Sequence, residues 1–174
     1  KFGKNIEQIE LDEINSKKFV KKKIYLIDTN HKNSNTYVHN CFKIAFKLIK
    51  EGLTQKMING PINKTKTLNK KFLGMTEFVA KNFNQRKFAM LIYNKKLSVC
   101  PLTTHVPLKN VSRYINKKNI SEKIYLIDQF YKKKLGIKPK IAVLGLNPHC
   151  ESTNVINEDE KIIKPVIKSL TKKN

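Results

Sequence analysis

At 174 residues with 40% hydrophobic content, the chain is long enough to bury the core of one ordinary domain, and no window reaches the roughly 18 uninterrupted apolar residues of a membrane span. The start, KFGKNIEQIE, lacks the apolar run of a secretory signal, and three widely spaced cysteines without a CxxC pair indicate neither a disulfide framework nor a zinc knuckle; a cytoplasmic protein with reduced thiols is expected. The net charge of +23 invites a nucleic-acid partner, but only Arg86 and Arg113 are arginines, the lysines are scattered and the aromatics sit within apolar patterns, so phosphate and base readout are poorly supplied.

Residues 1 to about 22 are weakly patterned, with Ile6, Ile9, Leu11 and Ile14 as apolar anchors, and read as a loop-rich entry. KKIYLID predicts a strand near 23–28, followed by the polar loop TNHKNSN. Asn35 or Thr36 is placed to cap a helix running to about Lys50, with Val38, Cys41, Phe42, Ala45 and Ile49 on one face and Gly52 as its stop. A short strand is expected in 55–64, breaking at Gly60-Pro61, and a helix from Thr76 after a loop at Gly74. FAMLIYNKKLSVCPL predicts a hairpin turning at Asn94-Lys95-Lys96. Ser121 is read as the cap of a helix carrying Ile124, Ile127, Tyr131 and Leu135 and stopping at Gly136, with a strand at 141–146 directly after it. The tail opens with a capping box, Asn157 to Glu160, and is helical with Pro165 dividing or kinking it. Alternating strands and helices predict an α/β fold with a mixed sheet and flanking helices, in one domain or part of one.

Two apolar runs end on an imidazole. KLSVCPLTTHVPL delivers His105 and KIAVLGLNPHCES delivers His149, each at the carboxyl end of an expected strand, where ligands of open α/β sheets gather. Pro107 and Pro148 stiffen the flanking backbone, and neutral imidazole is a common ligand of zinc and similar ions; two unrelated loop histidines are the bland alternative. Asn63, Lys64, Thr76, Glu77 and Asn147 fall at strand ends or first helical turns, where free amides and polar groups could meet a phosphorylated or carboxylated ligand. Cys150 directly follows His149, and on an extended segment adjacent side chains diverge, which argues against a nucleophile and base pair. The isolated glycines supply no GxGxxG fingerprint.

As an ordered set, NGPINK (59–64), GMTEF (74–78), TTHVPL (103–108), GLNPH (145–149) and NEDEKIIKPVI (157–167) resemble the 4-hydroxythreonine-4-phosphate dehydrogenase family of pyridoxal phosphate (vitamin B6) synthesis over nearly the whole chain. The resemblance implies an isocitrate/isopropylmalate dehydrogenase-like fold and NAD-dependent, metal-assisted oxidation of 4-phosphooxy-L-threonine to the 3-oxo acid, followed by decarboxylation. It implies a homodimer, a divalent metal such as Zn, Mg or Co with His105 and His149 as two of its ligands, and substrate contacts at Met75 and Thr76.

Departures from the family pattern bear on substrate. Met75 stands where the family commonly has histidine, Asn63 likewise, and Glu151-Ser152 replace part of a glycine-containing loop. A dehydrogenase of 4-phosphorylated threonate or erythronate is therefore the alternative within the family, and a basic nucleic-acid-binding module the alternative from another class. The glycine-rich opening of the family and its third metal histidine do not occur. Residues 1–174 thus read as the central part of a catalytic domain, incomplete at both ends and expected to be inactive alone.

Overall fold

Parallel pairing creates the first element that local pattern does not reveal. In the computed structural model, which describes residues 5–29, 33–68, 71–151 and 157–172, strand β1 (Ile6–Gln8) pairs in parallel with β2 (Ile24–Leu26), Ile6 opposite Ile24 and Gln8 opposite Leu26. β2 falls within the expected strand; β1 lies in the stretch expected to be loop. Three residues are too few to show alternation, and the partner of β1 is reached only through a crossover. Glu7 faces Lys17 and Lys23 in two ion pairs, and Ile9 and Ile14 are buried.

The following helix α1 (Ser34–Lys50) starts earlier than the sequence suggests. Asn33 accepts hydrogen bonds from the Thr36 amide and hydroxyl, both at 3.0 Å, so Thr36 is a donor to the cap and Asn33 is the cap. Of the predicted apolar face Phe42 is buried and the others are half-buried, and Phe46, not counted on that face, is buried beside it with ring centroids 5.9 Å apart. At its end Gly52 takes a φ of 80°, while Leu53 N donates to Leu48 O and Gly52 N to Ile49 O, the paired bonds of a Schellman stop. The expected strand within 55–64 is absent from the described residues. That segment instead lies against α1, where Met57, Ile62, Tyr37 and Cys41 help line a cavity of about 240 Å³, and Asn63 accepts from Lys66 N at the start of the one-turn helix α2 (Lys64–Thr67). The polar loop at 29–35 lies partly outside the described residues.

Those elements form one compact unit, Lys1–Lys71, and a second comprises Phe72–Asn174. In the second, α3 (Met75–Asn82) begins one residue before Thr76, with extended Gly74 as its cap. The expected hairpin shrinks to one antiparallel bridge, Ile92 with Val99, closed by bonds of 2.8 and 3.0 Å. Its turn is stitched by side chains, Asn94 Oδ1 accepting from Lys96 N and Ser98 Oγ from Asn94 N.

Helix α4 (Lys117–Phe130) is capped by Asn116, which accepts from Asn119 N at 2.9 Å, so Ser121 is interior. The true stripe includes Ile120, buried beneath the first turn. A π turn (Tyr131–Leu135) extends the helix to Gly136, whose left-handed φ of 66° ends it as expected. Residues 141–146 form no strand among the described residues, and Leu144 stands 85% exposed. Apolar β-branched composition describes a fit to a pleated surface, and without a neighbouring strand it yields no ladder. In the tail, Asn157 accepts from Glu160 N at 3.1 Å, and a π turn (Asp159–Ile163) gives way to α5 (Lys164–Thr171) at Pro165, the division the proline predicts.

The core of this unit lies between α4 and α5: Ile115, Ile120, Ile163 and Val166 are buried together, and Leu102 and Leu146 pack against them with Val111 and Ile124. Among the described residues no helix is long and apolar enough to cross a membrane. Cys41, Cys100 and Cys150 are free thiols, and burial pushes that of Cys100 above the ordinary range, against a smaller opposing pull from Lys123.

Candidate active site

Leu102 and Leu146 each stand three residues before a histidine, His105 and His149. Because both leucines pack on the same apolar cluster, the loops that carry the imidazoles share one anchor. Both histidines adopt left-handed backbone, φ 56° at His105 and 58° at His149, and both are exposed. A non-glycine residue in that region costs on the order of 1 kcal/mol or more and persists where the surroundings hold it.

The loop at 145–150 is held from below by Asp159. This aspartate is 0% exposed. Its Oδ1 accepts from Leu146 N at 2.8 Å, and its Oδ2 accepts from Asn147 N at 3.1 Å and Asn147 Nδ2 at 3.0 Å. Burial alone pushes its pKa up, but those three donations, with the positive charge of Lys164, outweigh it and hold the carboxyl below its ordinary value. Gly145 leaves room here: a Cβ would lie 2.6 Å from Cys150 Sγ and 2.9 Å from Asp159 Oδ1, so either side chain would have to shift. The chain then turns through Pro148–Cys150, with Cys150 N donating to Asn147 O, so His149 and Cys150 sit on consecutive left-handed residues of a tight turn. The extended segment expected there does not form, and the thiol folds back over Gly145. Ser152 lies outside the described residues.

The loop at 102–105 meets α3. Thr104 Oγ1 donates to Glu77 Oε1 at 3.1 Å, tying the residue before His105 to the first turn of the helix. A Cβ on Gly74 would lie 2.7 Å from His105 Nε2, 3.1 Å from His105 Cδ2 and 2.9 Å from Glu77 Oε2. The imidazole edge and the carboxylate thus converge on the space that the glycine leaves open. Glu77 Oε2 is buried and has no hydrogen-bond partner among the described residues.

Met75 and Thr76, on the first turn of α3, line an open groove of about 430 Å³ whose other walls are largely apolar, Val79, Phe83 and Phe88, with Lys87 at the edge. Lys123 donates to the Phe88 carbonyl and places its ammonium 5.3 Å from the Phe88 ring centre, which fixes that wall to α4.

The sequence candidates therefore separate by use. Thr76 and Met75 face the groove, Glu77 stands beside His105, and Asn147 is consumed by Asp159. Asn63 caps α2. Asp159 was not singled out by sequence; the signal available was an acidic residue following a tight GLN turn whose amides need an acceptor. A divalent ion accepts imidazole nitrogen and carboxylate oxygen, and an imidazole beside a spare buried carboxylate oxygen fits such an ion. Among the described residues no three His, Cys, Asp or Glu side chains gather into a metal-binding group.

Comparison with known proteins shows what the chain resembles. The family model described as pyridoxal phosphate biosynthetic protein PdxA matches residues 3–174. The chain is 40% identical over 143 residues to a 4-hydroxythreonine-4-phosphate dehydrogenase of Sulfurihydrogenibium sp., covering 80% of this chain and 43% of that protein. It is 31% identical over 138 residues to a D-threonate 4-phosphate dehydrogenase of Pectobacterium atrosepticum, covering 78% and 42%. The crystal structure of 4-hydroxythreonine-4-phosphate dehydrogenase from Klebsiella pneumoniae superposes with a TM-score of 0.76 at 25% identity, covering 97% of this chain and 57% of that one. The chain spans about half the length of these relatives.

Proposed function

From the premise that the chain belongs to the PdxA family of pyridoxal phosphate biosynthetic proteins, with a mixed α/β fold like that of its solved relatives, we propose that it is the central part of a cytoplasmic, NAD-dependent dehydrogenase acting on a phosphorylated hydroxy acid. The substrate is 4-phosphooxy-L-threonine, oxidised at C3 to the β-keto acid, which then loses carbon dioxide. The whole protein is a homodimer with the isocitrate/isopropylmalate dehydrogenase-like architecture, and the 174 residues alone are inactive.

One observation carries this reading: the loops bearing His105 and His149 are rooted, through Leu102 and Leu146, on a single apolar cluster. Two imidazoles on a common anchor suit one divalent cation, and His105 and His149 are the residues assigned to it. When bound, the cation supplies Lewis acidity toward the substrate hydroxyl and NAD supplies the hydride acceptor. No residue of this chain is assigned to NAD.

The chain's own residues do the positioning. Asp159 locks the amides of Leu146 and Asn147, so the turn presenting His149 does not have to be ordered when ligand arrives. Thr104 and Glu77 couple the His105 loop to α3, whose first turn offers the Thr76 hydroxyl and free amides to an anionic substrate. Lys87, at the rim of the same groove, adds positive charge.

Met75 motivates the second reading, a dehydrogenase of 4-phosphorylated threonate, which one relative is named for. A thioether lining the groove at position 75 offers no charge-assisted bond to substrate. The two readings separate by turnover: the full-length protein is assayed for NADH formation with 4-phosphooxy-L-threonine and with D-threonate 4-phosphate. Preference for the aminated substrate is expected, exclusive use of threonate phosphate establishes the alternative, and turnover of neither contradicts both.

A further inference from the structure

The dehydrogenase reading gives no use to a net charge of +23, and most of the lysines are scattered. In the unit Phe72–Asn174, however, two lysine-bearing turns are fastened to each other. The turn at 94–98 is closed on itself: Ser98 Oγ accepts from Asn94 N at 3.1 Å and donates to Asn94 O at 3.0 Å, and Asn94 Oδ1 accepts from Lys96 N at 2.9 Å. Tyr131 donates its hydroxyl to the same Ser98 Oγ at 2.8 Å, which ties this turn to the π turn Tyr131–Leu135. Lys95 and Lys96 lie in the first turn and Lys132, Lys133 and Lys134 in the second, and all five are exposed.

The same junction holds three aromatic rings. Tyr93 stands 6.2 Å from Phe130 at 74° and 6.3 Å from Tyr131 at 57°, and Phe130 stands 5.8 Å from Tyr131 at 84°. All three pairs are tilted or edge-on, so none closes face to face, and Tyr93 stays 47% exposed and Phe130 38%. Aromatics that read from sequence as part of apolar patterns thus leave ring surface beside fixed lysines.

Little opposes this charge along the chain. Neither 87–100 nor 129–150 contains an aspartate or glutamate, and Asp128 pairs with one of the five lysines, Lys132, at 2.8 Å. The lysines near β1 and β2 are placed differently. There Glu7 takes both Lys17 and Lys23, while Tyr25 packs edge-on against Phe19 and accepts a hydrogen bond from Val20 N. Those charges and rings serve one another.

We propose that the junction of the 94–98 turn with the π turn is a binding surface for single-stranded nucleic acid, its lysines meeting phosphates and Tyr93 and Phe130 stacking on bases. An ammonium pairs with phosphate as a point charge, and every base offers a ring face, so such a surface tolerates any sequence. An acidic peptide would use the lysines and leave the rings idle; a polynucleotide uses both.

The test is fluorescence anisotropy of a labelled oligouridylate titrated with the full-length protein. Binding is expected to weaken between about 50 and 200 mM salt with a log–log slope of about −3, the value for roughly four phosphate contacts at about 0.7 each. Lys95→Glu with Lys96→Glu should lower affinity by about 10-fold or more and make the slope shallower by about 1.4. Tyr93→Ala should lower it by about 10-fold with the slope unchanged, and Tyr93→Phe, which keeps the ring, should restore it. Lys18→Glu with Lys21→Glu, an equal change of net charge in exposed residues of the other unit, should leave affinity unchanged. Thermal unfolding checks each variant, and if Tyr93→Ala unfolds, the Lys95 and Lys96 pair with Tyr93→Phe carries the test. No binding at the lower salt, equal weakening by both lysine pairs, or an unaltered affinity in folded Tyr93→Ala overturns the proposal. So does competition by polyglutamate, or by vesicles containing phosphatidylserine, as effective as that of unlabelled oligouridylate.

Discussion

Beneath His149, the Asp159 carboxylate accepts three hydrogen bonds and is wholly buried; beside His105, the Glu77 carboxylate accepts one from Thr104 and keeps an oxygen spare. Both loops end on a left-handed histidine and both are anchored by a leucine on the same cluster. The difference lies in what each carboxylate binds. Asp159 holds backbone amides and so fixes the path of a turn, whereas Glu77 holds the side chain of Thr104. A saturated carboxylate is a structural part, and one with an acceptor left over is available to the chemistry.

The largest effect expected from breaking this contrast is at Asp159. Asp159→Ala leaves two half-buried amides and the Asn147 side chain without their acceptor and should cost about 3 kcal/mol in urea unfolding, given roughly 1–3 kcal/mol for each buried donor left unpaired and less where water can reach. A loss below about 1 kcal/mol would mean that water replaces the carboxylate and that the turn is not built on it. The same group gives an acid signature. Its folded pKa is lowered, so its stabilisation is complete above the unfolded aspartate value of about 3.9 and disappears as pH falls from there through the lower folded value. Asp159→Asn should flatten that part of the stability profile.

Next in size is Gly145→Ala. Its Cβ would sit 2.6 Å from Cys150 Sγ and 2.9 Å from Asp159 Oδ1, and such overpacking costs about 1–3 kcal/mol. Chemical denaturation measures it, and a neutral result would show that Cys150 swings away freely.

Glu77→Ala sharpens the comparison from the other side. With one hydroxyl contact to lose, it should cost about 1 kcal/mol or less of stability, well under Asp159→Ala. Equal stability losses at the two carboxylates would erase the distinction drawn here.

The smallest effect is at the histidine backbone. At a φ of 56°, His105→Gly should be more stable than His105→Ala by about 1 kcal/mol, because glycine alone carries no Cβ penalty there. A more stable alanine variant would show that the left-handed turn relaxes once the imidazole is gone.

Much of the fold was legible in the sequence where the cause is local. The apolar face of α1, the stop at Gly52, the left-handed end at Gly136 and the division at Pro165 all follow from side-chain period or backbone freedom within a few residues. Starts were read late. Asn33 and Asn116 lie upstream of the polar residues taken as caps, and only the hydrogen bonds they accept distinguish them. Strands were least legible, because β1 exists through β2 and 141–146 has apolar composition without a ladder. At the site, His105, His149, Met75 and Thr76 stood out by motif. What the motif did not carry was the distance of 27 residues between Glu77 and Thr104, or the reach of Asp159 back to Leu146, since both are tertiary contacts.

The dehydrogenase reading turns on His105 and His149 sharing one divalent cation. One equivalent of paramagnetic Co²⁺ added to the chain, followed by NMR of the histidine ring protons, tests it most directly. The ring signals of His105 and His149 should shift and broaden together in a single one-to-one transition. A response from only one of the two rings, or separate transitions at different stoichiometries, would contradict a shared ion and with it the dehydrogenase chemistry proposed here.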